Sequence, residues 1–186
     1  MRKIFITGCS KSGTTLLKRL FYAFPGVHVH AREIYVDAFS VLPIHENLIA
    51  DVGKRRCKTV FSNTLPQEEI DRQLLIIMEH DISVVNITRN KSEVTESEGW
   101  SVPMHRYESA IAQAEQYSDY ITYGTTYERL ISVPDIVQAE IAIRLFPEIN
   151  GSACPLWSSY PRFVPDIEFS NVKDARYAAR PIGAKP

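Results

Sequence analysis

Cysteine is scarce: Cys9, Cys57 and Cys154 stand far apart in 186 residues, with no Cys-x-x-Cys pair and no Cys/His spacing that suits a metal. An odd, scattered set excludes a disulfide framework and argues against a zinc site, so a reducing compartment is expected. Charge of one sign is lacking too, since 21 Lys and Arg against 22 Asp and Glu leave a formal net charge of −1. That balance supplies no global basic field for non-specific nucleic-acid binding, and any anion binding must come from local groups. No apolar run approaches the roughly 18 residues that span a membrane. The short apolar run at residues 4–7 is far smaller than a signal-peptide core. The expectation is a cytoplasmic protein with no membrane span and no nucleic-acid partner. Internal repeats and low-complexity tracts are absent.

What remains is a chain with 45% hydrophobic and 23% charged residues, the composition of an ordinary globular domain. At this length folding buries about 70% of the unfolded surface, so a core forms without staples. Residues 4–7 read as a strand. A small-residue loop follows, and then Leu16, Leu17, Leu20 and Phe21 at helical spacing. Pro25-Gly26 marks a turn into a second strand over 27–30, and residues 34–52 read as partly helical, broken near Pro43. Residues 57–61 look like a third strand. Residues 66–77 form a helix with Glu68 and Glu69 in its first turn, and 82–87 are a buried-type strand. A helix over 107–117, a short strand over 121–125 and a helix over 134–146 with Ile136, Ile141 and Leu145 as core candidates complete the pattern. Strands alternating with helices predict an α/β fold: one domain over residues 1–150 with a central parallel sheet flanked by helices. Residues 151–186 are proline-rich and aperiodic, and are expected as an irregular C-terminal segment packed on that domain.

Gly8-Cys9-Ser10-Lys11-Ser12-Gly13, set between a strand and a helix, has the glycine spacing of a P-loop, whose backbone N–H groups cradle phosphate oxygens. A nucleotide-hydrolysing loop continues Gly-Lys-Ser/Thr. Here Thr14-Thr15 follow Gly13, and the lysine, Lys11, lies inside the loop. The strongest later strand ends Ile87-Thr88-Arg89, a cation where a magnesium site keeps a carboxylate. The loop therefore reads as a phosphate site served by cations. A Cys-x₅-Arg phosphatase loop is excluded because Thr15 stands six residues after Cys9.

The stretch Phe5-Ile6-Thr7-Gly8-Cys9-Ser10-Lys11-Ser12-Gly13-Thr14-Thr15-Leu16-Leu17 resembles the 5′-phosphosulfate loop of the sulfotransferases that use 3′-phosphoadenosine 5′-phosphosulfate (PAPS), with Ser10 where the family commonly has proline. Arg89-Asn90-Lys91-Ser92-Glu93-Val94-Thr95-Glu96-Ser97 is similar to the family's segment for the 3′-phosphate, with Lys91 in place of a proline and with Arg89 and Ser97 at the family's spacing. Tyr127-Glu128-Arg129-Leu130-Ile131-Ser132-Val133-Pro134 resembles a third family motif, which implies that Tyr127 lies beside the adenine. The three motifs occur in the family's order.

The resemblance implies in-line transfer of a sulfuryl group from PAPS to an acceptor hydroxyl or amine, releasing adenosine 3′,5′-bisphosphate without a metal. Ser10, Lys11, Ser12, Gly13, Thr14 and Thr15 would hold the 5′ group, and Arg89 and Ser97 the 3′-phosphate. Lys11 would stabilise charge on the leaving phosphate. One branch of the family uses a histidine base, but residues 61–66 contain none. Other branches use a glutamate soon after the second strand, which makes Glu33 the expected base and His30 the second choice. Arg176 and Arg180 are the counterparts of a cationic C-terminal segment over the 3′-phosphate. Lys54, Arg55, Arg56 and Lys58 are candidates to meet an anionic acceptor, and Trp100, Trp157 and Tyr160 to stack on a sugar. The acceptor class, whether carbohydrate, peptide or small molecule, stays open. Two other readings are a P-loop kinase of small molecules and a non-catalytic nucleotide-binding module.

Overall fold

The computed structural model of the chain describes residues 1–52, 58–95, 102–149 and 154–159. Its centre is β1 (Lys3–Thr7), buried at every position because parallel strands pair with it on both sides: β3 (Asn47–Asp51) and β4 (Ile82–Thr88). A strand covered on both faces has no solvent side to keep polar, and β1 and β4 accordingly carry near-continuous apolar runs. With β2 (Val27–Val29) and β5 (Tyr123–Thr126) at the edges, the five strands lie in the order β2-β3-β1-β4-β5, all parallel. The α/β architecture expected from the alternation of elements is the one observed.

Helices cover both faces. On one face α1 (Thr14–Leu20) and α7 (Pro134–Leu145) pack over Ile4, Ile6, Val85 and Ile87. An aromatic cluster of Phe21, Phe24, Phe146 and Trp157 closes that core, with ring centroids 4.9–6.4 Å apart. On the other face α2 (Val36–Ser40) and α3 (Gln67–Glu79) set Phe39, Ile70, Leu74 and Ile77 against Phe5, Leu48, Ala50 and Val84. Each fully buried side chain of this size contributes about 1.5–3 kcal/mol, so the sheet is held from both sides. Beyond β4 lie α4 (Lys91–Thr95) and α5 (Met104–Gln116), and α6 (Tyr127–Ser132) follows β5 directly.

Four expectations need correction. Residues 34–52 contain a short helix, α2, but also strand β3, whose Leu48-Ile49-Ala50 run is too short to separate from helix by periodicity. The expected strand over 57–61 is a set of turns from Lys58 onward, and Cys57 lies outside the described residues. Ile136 is exposed on α7, while Ile141 and Leu145 are buried. Trp157 is a core residue packed on Phe21 and Phe24, so it offers no face for a sugar.

The strand order positions the site. From β1 the chain passes over β3 to reach β2, whereas from β3 it returns across β1 to β4. The loops leaving the carboxyl ends of β1 and β4 therefore diverge, and a crevice opens between them, where ligands bind in open α/β sheets. The glycine loop leaves β1, and Arg89 follows β4.

Candidate functional site

The loop after β1 adopts a conformation that its sequence permits at specific points. Lys11 and Gly13 have φ of 63° and 99°, in the left-handed region, and Gly8 has φ 152°. At Gly8 an added Cβ would run into the Ile87 carbonyl of β4. At Gly13 it would sit 2.6 Å from Cδ2 of Tyr127. Both glycines thus let the loop lie flat against neighbouring elements. The Ser12 N–H donates to the Cys9 carbonyl at 3.2 Å, and the Leu17 N–H to Gly13 at 3.0 Å, which fixes the passage from turn into α1. No acidic residue occupies the first turn of α1. The Ser12 hydroxyl is fully buried without a hydrogen-bond partner among the described residues, an orphan that asks for a ligand or water. Thr14 is buried, Thr15 exposed, and Ser10 and Lys11 are partly exposed.

Arg89 joins the segments that resemble the family motifs. Its Nη1 donates to the Lys11 carbonyl at 3.2 Å, and its guanidinium carbon lies 4.3 Å from the centroid of the Tyr127 ring. Glu93, one helical turn onward, accepts from Nε at 2.8 Å and pairs with Nη2 at 2.7 Å. The Tyr107 hydroxyl donates to the Arg89 carbonyl at 3.0 Å, and Glu128 accepts the Asn90 N–H at 2.8 Å. The guanidinium is thus aimed by four elements. Tyr127 presses its ring on Gly13 and on Arg89, which makes it the wall that orients the arginine.

The loop is supported from behind. The Thr7 hydroxyl donates to the Val60 carbonyl at 2.9 Å and shares a 2.7 Å hydrogen bond with Ser62, whose Oγ also accepts the Gly8 N–H at 3.3 Å. Gln73 of α3 accepts the Val60 N–H at 2.9 Å, and Gln113 of α5 accepts that of Phe61 at 3.0 Å. Two buried amides therefore hold a turn that adjoins the first amide of the glycine loop. Sequence reasoning missed these partners, because the bonds link residues 13 and 52 positions apart.

It also missed Asp51. Arg89 follows β4, yet the other neighbour of β1 ends in a carboxylate: Asp51 closes β3, opposite Ile6. That carboxylate is fully buried and ion-paired at 2.5 Å with Lys18, itself buried one turn beyond Thr14. Its second oxygen, Oδ2, has no hydrogen-bond partner among the described residues. Burial lowers the Arg19 pKa, and the nearby Asp51 charge works against that shift.

Glu33 and His30 lie in the segment after β2. The His30 N–H donates to Ile49 at 2.7 Å and its Nδ1 is 2.7 Å from the Arg32 carbonyl; the Ile34 N–H donates to the Asp51 carbonyl at 3.3 Å. Glu33, partly exposed, is thereby held near the carboxyl end of β3, at the same end of the sheet as the glycine loop. His28, His45, His80 and His105 are exposed. Ser97, Lys54, Arg55, Arg56, Trp100, Tyr160, Arg176 and Arg180 lie outside the described residues. Among the described residues no helix is long and apolar enough to cross a membrane, and among them no group of three or more His, Cys, Asp or Glu is placed to hold a metal. Neither a family model nor a curated protein sequence matches the chain.

Proposed function

We propose that the chain is a sulfotransferase, moving a sulfuryl group from PAPS to a hydroxyl or amine of an acceptor and releasing adenosine 3′,5′-bisphosphate. The observation that carries this reading is the bond from Arg89 to the Lys11 carbonyl, which sets a strand-end guanidinium at the rim of a glycine loop with its own internal lysine. The site fits a 5′-phosphosulfate in three respects: the orphaned Ser12 hydroxyl, the close backbone approach allowed at Gly8 and Gly13, and a donor set of amides and cations. Lys11 and the amides of 12–15 would stabilise negative charge on the phosphate oxygen as its bond to sulfur breaks. Arg89, braced by Glu93 and Tyr127, would hold the 3′-phosphate. Glu33 would take the proton of the acceptor group as the new oxygen–sulfur or nitrogen–sulfur bond forms. The scattered cysteines favour a reducing, cytoplasmic setting for this chemistry.

Asp51 favours one competing reading, a magnesium-dependent kinase, because such enzymes place an aspartate on a strand beside the loop. Lys18 argues against it by neutralising that carboxylate. Calorimetric titration of adenosine 3′,5′-bisphosphate and of ATP, each with and without Mg²⁺, separates the two. Metal-independent binding of the bisphosphate in preference to ATP is expected, whereas binding of ATP only with Mg²⁺ would establish the kinase. Bisphosphate binding together with no sulfuryl transfer across a broad acceptor screen would leave a non-catalytic binding module.

A further inference from the structure

We propose that the cleft between the first turns of α2 and α3 is the acceptor subsite and that it takes an uncharged, polyhydroxylated ligand, a saccharide. The acceptor role rests on the sulfuryl-transfer reading; the ligand class follows from the cleft itself. Its volume of about 610 Å³ falls within the range of small-molecule sites. Arg72 links the two helices: Glu69 accepts from its Nε at 2.9 Å and Nη2 at 2.7 Å, and Asp37 of α2 lies 3.7 Å away. Behind it Gln73 donates to Glu69 at 2.6 Å and to the Lys58 carbonyl at 2.8 Å. Planar donors and acceptors are thus fixed before any ligand arrives, which lowers the ordering cost of binding.

The charges lining the cleft select the ligand. Arg72 is already paired with Glu69 and faces Asp37 at 3.7 Å, and Lys58 offsets Glu68, so the lining carries nearly balanced charge and offers little to a fully ionic ligand. An apolar ligand would strip water from these groups and return no hydrogen bonds. Neighbouring hydroxyls both donate and accept, so they suit a wall that mixes forks of both kinds, and Tyr35, Leu65 and Pro66 offer apolar surface for the carbon faces of a ring. Position supports the role as acceptor site. The turn between the lining residues Lys58 and Thr64 is bonded through Val60 and Ser62 to Thr7 and Gly8 at the root of the glycine loop, and Tyr35 stands two residues beyond Glu33. A ligand seated here would lie beside the segment that carries Glu33.

The test is a titration of the ¹⁵N-labelled full chain with cellotriose, maltotriose and chitotriose, and separately with glucuronate, glucosamine and adenosine 3′,5′-bisphosphate. At least one neutral trisaccharide is expected to shift the amide signals of residues 35–37 and 64–73. Arg72→Ala and Glu68→Gln should each weaken that binding about tenfold, with bisphosphate affinity unchanged within about twofold. Absence of trisaccharide binding, shifts confined to other surfaces, or tighter binding of glucuronate or glucosamine would overturn the proposal. Bisphosphate binding without saccharide binding removes the subsite alone. Saccharide binding without bisphosphate binding removes the transferase reading and leaves a sugar site.

Discussion

The guanidinium of Arg89 and the carbonyl oxygen of Lys11 meet at 3.2 Å across 78 residues of sequence. Lys11 sits in the left-handed region with φ 63°, and the bond to its carbonyl lets the Arg89 side chain prop the loop. Arg89→Ala is expected to weaken bisphosphate binding by about 1.5–3 kcal/mol, the range for hydrogen bonds to charged groups. Arg89→Lys should recover little, since an ammonium cannot lie flat on Tyr127, engage Glu93 through two nitrogens and reach Lys11 at once. Calorimetry on both variants checks this, and full affinity in the alanine variant would remove the phosphate role of Arg89.

Gly13 and Tyr127 form a second coupled pair. Alanine at 13 meets two costs: a left-handed φ of 99° and a Cβ 2.6 Å from the tyrosine ring. Together these should destabilise the fold by about 1–3 kcal/mol. In a Tyr127→Ala background the steric part disappears and the backbone part remains, so the penalty for Gly13→Ala should shrink by about 0.5–1 kcal/mol in a denaturant-based double-mutant cycle. Strict additivity would show that the ring does not press on the loop.

These two relationships indicate what the sequence made legible. The apolar runs of β1 and β4, the glycine loop between strand and helix, and the cation after β4 are local patterns, and each lies where the pattern placed it. Strand β3 was not legible, because a three-residue apolar run bounded by Asn47 and Asp51 carries no period. Residues 58–61 misled for the opposite reason: Thr59, Val60 and Phe61 look like a strand, but remote Gln73 and Gln113 hold them as turns. Once β3 was missed, Asp51 could not be set beside β1. The contribution of Tyr127 to orienting Arg89 likewise depends on strand order, which no local spacing reveals.

Asp51 and Lys18 invite a test of a buried ion pair. Asp51→Asn leaves the Lys18 ammonium, 8% exposed, without its counter-charge, at a cost of about 3–5 kcal/mol. Replacing both partners with apolar side chains, Lys18→Met with Asp51→Val, should be near neutral or stabilising, since desolvation of the two charges opposes their attraction. Urea denaturation of the single and double variants measures the difference. A double variant as unstable as Asp51→Asn would mean that the pair, and not its desolvation balance, fixes α1 against β3.

The last prediction concerns pH and the element that carries Tyr127. Glu140 of α7 accepts from the Tyr123 hydroxyl at 2.6 Å and from Arg129 Nη1 at 2.7 Å, joining β5, α6 and α7. Bonding to Arg129 first, and to Tyr123 next, holds the Glu140 carboxyl down at about 2. Burial first, and then Glu140, push the Tyr123 phenol up to about 12. For a depressed carboxylate the folded state releases its proton more readily than the unfolded one. Its contribution is therefore complete above the ordinary value of 4.5 and is lost as pH falls from there toward about 2. For the raised phenol the contribution is complete below 10 and fades as pH climbs through about 12. Glu140→Gln should flatten the acid limb of a stability-versus-pH curve and lower the pH at which Tyr123 ionises, read from tyrosinate absorbance. Because Arg129 and Glu140 are both more than a third exposed, salt should diminish the acid effect. An acid limb unchanged in Glu140→Gln would show that other carboxylates govern it.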